Sequence, residues 1–216
     1  MAQLARSGAS EGLWLRAERQ TAGKGRQGRA WASPEGNLYI STLVRVRPGE
    51  PSPATLALVA AVALEETVRV FGAEPMLKWP NDLLLDGAKL SGILLERVDD
   101  AVIIGFGVNL HHVPPELDRP AASLRLYGPA PDAQLFAETL AETFARWLSR
   151  WRDGIAPVRD RWLQRAHPIG TALTARLADC SSVDGLFNGL DRDGALILRL
   201  ADGSARVIHA ADVFLL

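Results

Sequence analysis

The sequence has one cysteine, Cys180, so no disulfide can form within the chain, and such usage fits a reducing, cytoplasmic compartment. It has little net charge. A formal charge of −1 and a pI near 6.4 give no bulk attraction to nucleic acid or to an anionic membrane, so basic residues must act locally. No run reaches the roughly 18 uncharged apolar residues of a membrane span, and the N-terminus lacks a signal-peptide pattern. His111, His112, His167 and His209 show no H-E-x-x-H or Cys/His ligand spacing, and no G-x-S-x-G elbow occurs. With Cys180 isolated, the sequence offers no covalent nucleophile and no metal-ligand set of its own.

What is present is a globular chain. Its 48% hydrophobic content excludes disorder, and a chain of this size buries about 70% of its unfolded surface, enough for one substantial core and a small second domain. The most distinctive stretch is ERQTAGKGRQGRAWASPEGNLYIS, residues 18–41, where Gly23, Gly25 and Gly28 alternate with Lys24, Arg26 and Arg29. Backbone N–H groups and cationic side chains can converge there on a phosphate or carboxylate. A solvated basic turn has the same composition. A dinucleotide fingerprint matches G-x-G-x-x-G but should open a helix, whereas Pro34 and Gly36 break one here and residues 38–43 read as a strand. The third reading is a nucleotide or acyl-adenylate loop lying over its ligand, and the rest of the chain selects it. Such a loop should be mobile when empty and ordered around a negative guest.

In chain order, residues 1–12 read as the tail of a helix ending at Gly8, followed by strands at 13–17 and 38–46. Ser52 is the expected N-cap, and Pro53 the first residue, of a helix over 53–71 that is apolar almost all round (Leu56, Leu58, Val59, Val62, Leu64, Val68) and therefore core. Asp86-Gly87 marks a hairpin, and strict alternation in its return strand places Lys89, Ser91, Ile93 and Leu95 on one face. The apolar strand VIIGFGVNL follows, with Gly105 and Gly107 open to close approach. Residues 111–131 are proline-rich and loop-like. Asp132 caps an amphipathic helix whose stripe is Phe136, Leu140, Phe144, Trp147 and Trp151, ending before Gly154. A shorter helix over 157–166 precedes a boundary at His167-Pro168, and short alternating strands beyond it predict a small barrel.

Four ordered motifs, GKGRQGRAW with SPEGNLYIS, KWPND, GAKLSGILLE and GFGVNL, together with the C-terminal GLDRDGALILRLADGSARVIHAADVFLL, resemble biotin protein ligases across nearly the whole chain. The resemblance implies an α+β fold: a catalytic domain like that of class II aminoacyl-tRNA synthetases over residues 1–167, a mixed sheet backed by helices, then an SH3-like barrel over 168–216. It implies that ATP, with Mg²⁺, activates biotin to biotinyl-adenylate, and that a lysine of a carboxylase's biotin carboxyl carrier domain then accepts the biotin. Arg26 and Lys89 would be catalytic, with Gln20, Lys24, Gly25 and Gly92 also on biotin and the adenylate. Gly28, Arg29, Trp31, Lys78, Asn81, Asp82 and Asn109 would serve the nucleotide, with Mg²⁺ near Asp82, and Gly92, Gly105 and Gly107 would shape the floor.

Two departures follow from the same comparison. A strand and a Ser-Thr-Asn type turn that bind biotin in the family would precede Met1, so the pocket is expected to lack a wall and the sheet an edge strand. No N-terminal helix-turn-helix domain is present, so no nucleic-acid partner is expected; a homodimer rests on analogy alone. The rivals are lipoyl or octanoyl transferases, which share the fold but lack this loop together with KWPND, and a catalytically impaired binder of biotin or of the carrier.

Overall fold

A computed structural model describes residues 1–113 and 120–216; residues 114–119 of the proline-rich stretch lie outside the described residues. The helix tail at the start is α1 (Ala2–Arg6), and β1 (Trp14–Ala17) follows it. After the glycine loop come β2 (Leu38–Arg45), α2 (Leu56–Val70), β3 (Met76–Lys78), β4 (Asp82–Leu85), β5 (Ala88–Val98) and β6 (Ala101–Val108). These strands form one six-stranded sheet in the order β1-β2-β6-β5-β4-β3. Every ladder between its named strands is antiparallel, and among the described residues parallel pairing is confined to the isolated bridges Leu77–Ala166 and Lys89–Ala121.

The helix layer explains one face of this sheet. The chain enters α2 through a 3-10 turn at Pro53–Thr55, and Ser52 caps it with its carbonyl instead of its side chain: Thr55 donates to it through N and Oγ1 at 2.9 and 2.6 Å. All six apolar residues expected on α2 are buried. α3 (Ala133–Arg152) lays its whole aromatic stripe into the same core, capped by the Asp132 carboxylate, which accepts from the N–H groups of Gln134 and Leu135. Phe106 of β6 meets Phe144 of α3 edge-on at 6.2 Å. One charge sits in this layer: Glu65 of α2 is fully buried and held by Arg69, by Arg161 at 3.0 Å and by Arg165 at 3.3 Å, the last two on α4 (Ala156–Arg165). A paired buried carboxylate is tolerated where a lone one is not.

Alternation sends Ile103, Gly105 and Gly107 of β6 to the opposite face, with Ala5 of α1 packed on Leu43, Ala101 and Ile103 at one end. Strict alternation fails in β5. The β4–β5 register shifts at Leu90, a β-bulge that places Lys89 on the bare face beside Gly92, while Ile93 and Leu95 join the helix-side core. Of the four residues expected on one face, Ser91, Ile93 and Leu95 do share it, and Lys89 is the one the bulge moves to the other.

The C-terminal strands β7 (Ala172–Arg176), β8 (Ser182–Leu190), β9 (Leu196–Arg199), β10 (Ala205–Ile208) and β11 (Asp212–Leu215) form a five-stranded sheet in the order β10-β9-β8-β7-β11. Where the strand spacing predicts a barrel, the sheet is open. Among the described residues no ladder joins β10 to β11, and Ala205, Arg206 and Val207 of β10 face solvent. This sheet docks on the first through Trp79, whose Nε1 donates to the Gly194 carbonyl at 3.0 Å. No helix among the described residues is long and apolar enough to cross a membrane.

Replacing Asp132 by alanine should lower unfolding stability by about 1 kcal/mol, read as a fall in urea midpoint at constant slope. Asp132→Asn should keep most of it; equal midpoints for the alanine variant and the parent would show that the cap contributes nothing.

Candidate active site

The glycine loop is a small flap. Lys24 and Ala30 bridge as antiparallel partners, Gly25 N donates to Arg29 O at 2.7 Å, and Trp31 N to Gly23 O at 2.9 Å. At its tip Gln27 and Gly28 have φ of 56° and 72°, the left-handed region that glycine enters without strain. The flap stands over the bare face of the sheet, and between them lies a cavity of about 550 Å³, within the range of about 300–1,000 Å³ usual for small-molecule sites.

Gly92 and Gly107 face each other across β5 and β6 and leave a gap in the side-chain layer. The Trp31 indole fills it. A Cβ at Gly107 would lie 2.6–2.8 Å from three atoms of that ring, and one at Gly92 3.1 Å from Cζ3. These glycines thus admit an indole from the chain itself, and its Nε1 is buried with no hydrogen-bond partner. Lys89 Nζ lies 5.5 Å from the ring centroid and 2.5 Å from Asp82 Oδ1, so a cation is held against the indole by a carboxylate.

Arg26 reaches the same cavity. Its Nη1 is 3.4 Å from Asn81 Oδ1, 3.2 Å from the Ala211 carbonyl and 3.9 Å from Asp212 Oδ1, all loose contacts. Burial pulls the guanidinium below its ordinary pKa, Asp212 and Asp82 push it back up, and Arg29 pulls it down. Arg29 is bound more tightly, its Nη2 donating to both oxygens of Asp212 at 2.8 and 2.9 Å. A loop expected to await a negative guest therefore finds a negative group within its own chain.

Most residues expected at the site line the cavity. Gln20, Lys24 and Gly25 do so beside Arg26, Arg29 and Trp31; Asn81, Asp82, Lys89 and Gly92 form the opposite wall, with Gly105 and Gly107 on the floor. Asn81 is locked to β5, its Nδ2 donating to Ile93 O at 2.5 Å. Asn109 also lines it, buried, with Nδ2 donating to Ala122 O at 3.1 Å and Oδ1 without a partner. Two expected residues stand apart. Gly28 belongs to the flap's tip, and Lys78 lies over the Phe214 ring, 5.8 Å from its centroid, at the junction of the two sheets.

Sequence reasoning missed Asp212, Pro120 and Ala121, all of which line the cavity. Pro120 and Ala122 grip the backbone of Lys89 from a parallel bridge, with Lys89 N donating to Pro120 O and Ala122 N to Lys89 O, each at 2.9 Å. A segment read as loop has no periodicity to reveal such a contact. The signal for Asp212 was indirect: three cations in one flap call for a counter-charge.

Gly107→Ala should cost about 1–3 kcal/mol in stability by driving a methyl group into the indole. In a Trp31→Ala background most of that cost should vanish, and strictly additive effects in the thermal or urea cycle would show that the ring does not occupy the gap.

Residues 4–109 match the family described as the biotin/lipoate A/B protein ligase family, and residues 174–216 the biotin protein ligase C-terminal domain. The biotin–acetyl-CoA-carboxylase ligase of Paracoccus denitrificans is 40% identical over 96% of this chain and 92% of its own. The Mycobacterium tuberculosis ligase of that name is 36% identical over 97% and 81%. A solved biotin protein ligase from Aquifex aeolicus, in complex with biotin and ATP, superposes with a TM-score of 0.88 at 25% identity, covering 99% of this chain and 94% of that one. Sequence and fold agree along the full length, and this chain belongs to the biotin protein ligases of the biotin/lipoate A/B family.

Proposed function

We propose that this protein is an ATP-dependent biotin ligase, which activates biotin to biotinyl-5′-AMP with release of pyrophosphate and transfers biotin to a lysine of a biotin carboxyl carrier domain. The observation that carries this reading is the meeting of Arg26 and Lys89, remote in sequence, at one cavity with Asn81 and Asp82. The biotin carboxylate must attack the α-phosphorus of a polyanion, and fixed cations reduce the repulsion between the two while water is kept out. Lys89, aimed by Asp82 and by the Leu90 bulge, is placed for the carboxylate and the developing phosphate ester. Arg26, loosely held, can turn to the adenylate phosphate without losing a tight bond. The unpaired Oδ1 of Asn109 offers an acceptor to the adenosine end.

Magnesium enters this scheme on ATP, as part of the substrate. Asp82 is already paired with Lys89, and among the described residues no group of three His, Cys, Asp or Glu side chains gathers to hold a metal. The donor set therefore does not fit a resident ion. In the second step the carrier amine attacks the anhydride carbonyl carbon, the bond to AMP breaks, and an amide remains; no enzyme nucleophile is required. The names of the relatives favour biotin over a lipoyl or octanoyl substrate.

Biotin-dependent exchange of labelled pyrophosphate into ATP tests the first step, and no exchange by purified, folded protein would sink the proposal. Lys89→Ala should slow first-turnover adenylate formation about 10–100-fold, the loss of a charge-assisted bond worth about 1.5–3 kcal/mol; an unchanged single-turnover rate at saturating substrates removes Lys89 from that step. Arg26→Ala should instead let the adenylate escape, raising biotinylation of unrelated lysines about tenfold or more, and full retention of adenylate in that variant would refute the assignment.

A further inference from the structure

Arg29 and Asp212 are 183 residues apart in sequence and in direct contact in the fold. Arg29 Nη2 donates to both carboxylate oxygens at 2.8 and 2.9 Å, and Arg26 Nη1 stands 3.2 Å from the Ala211 carbonyl and 3.9 Å from Asp212 Oδ1. The flap thus meets the start of β11 at two points, Ala211 just before the strand and Asp212 at its first position. That strand is a firm support: it is paired with β7 over its whole length, with Ala211 and Val213 buried. The base of the flap is held by the Lys24–Ala30 bridge and the seated Trp31 indole, but its tip is two residues in left-handed conformation and its two arginines repel each other. An exposed ion pair contributes little, but the Asp212 side chain is only 15% exposed, and among the described residues Arg26 and Arg29 both come within 4.0 Å of it.

We propose, resting on the ligase reading, that Asp212 of the C-terminal sheet is a positioning residue for the adenylate: it anchors the flap through Arg29 and lends Arg26 a weak counter-charge that the adenylate phosphate replaces. The division of labour follows from the distances. Arg29 is spent on the anchor, which moves it from the nucleotide-binding role expected of it, and Arg26, whose guanidinium has no polar contact nearer than 3.2 Å among the described residues, is the one left to turn inward. The C-terminal sheet then takes part in the reaction without touching the reacting atoms, by deciding how long the flap stays down.

The test uses the full chain with Asp212→Asn, Asp212→Glu, Arg29→Gln, the single changes Arg29→Asp and Asp212→Arg, and the swap that combines these two, each checked for an unchanged circular dichroism spectrum. In ligand-free protein, Asp212→Asn and Arg29→Gln should speed tryptic cleavage after Lys24 or Arg26 about fivefold or more, because proteolysis tracks the population of the opened flap. In the presence of biotin and ATP the same variants should release biotinyl-adenylate to solution about tenfold faster, the scale of one lost charge-assisted contact. Asp212→Glu should stay near the parent in both measurements, and the swap should recover most of what either single charge change loses. Flap cleavage and adenylate release that match the parent in Asp212→Asn, or a swap no better than its single changes, would overturn the anchor. Should the parent make no adenylate, the ligase reading fails, while the cleavage arm still decides whether Asp212 holds the flap. If Asp212→Asn does not fold, Arg29→Gln on the solvent side of the pair decides the same question.

Discussion

The site depends on a gap in a sheet. Gly92 and Gly107 face each other on neighbouring strands, so the pleated surface between β5 and β6 has no side chain where every other position would supply one. An indole enters that space, the ammonium of a lysine lies over its ring, and a carboxylate holds the lysine. The helix side of the same strands carries the opposite demand, with Ile104 and Phe106 packed against α2 and α3. One pair of strands thus has a face of dense packing and a face left bare, and alternation along β6 gives both from a single run of residues.

KWPND connects these layers in five consecutive residues. Lys78 lies over Phe214 of β11 and Trp79 reaches Gly194 in the turn between β8 and β9, while Asn81 is fixed to β5 and faces Arg26, and Asp82 holds Lys89. The two sheets and the flap therefore share one segment, and Asp212 adds a second contact between the C-terminal sheet and the flap.

Much of this was legible in the residues because it rests on local rules. The stripe on α3, its Asp132 cap, the Asp86-Gly87 hairpin and the apolar α2 follow from periodicity and turn chemistry that need no partner. The order of motifs carried most of the site, and nearly all the residues it named line one cavity. What escaped was set by tertiary contact. The Leu90 bulge leaves no mark in composition, Asp212 is four residues from the C-terminus with nothing local to distinguish it, and Glu65 looks like any polar residue of a helix until α4 brings two arginines to it. Lys78 follows the same logic: Asn81 and Asp82 of the same motif reach the cavity, but Lys78 lies over Phe214 of the docked C-terminal sheet.

The Leu90 bulge makes the interval between Lys89 and Gly92 matter as much as the two residues themselves. Three steps on a regular strand would send them to opposite sides of the sheet; the extra residue brings them back to one side. Inserting one residue between Lys89 and Leu90 would leave every chemical group of the site in the chain, and with the neighbouring ladder intact it would turn the ammonium group toward the oily interior. A protein of this design can therefore lose its chemistry through a change in counting alone, with composition, charge and most of its packing untouched.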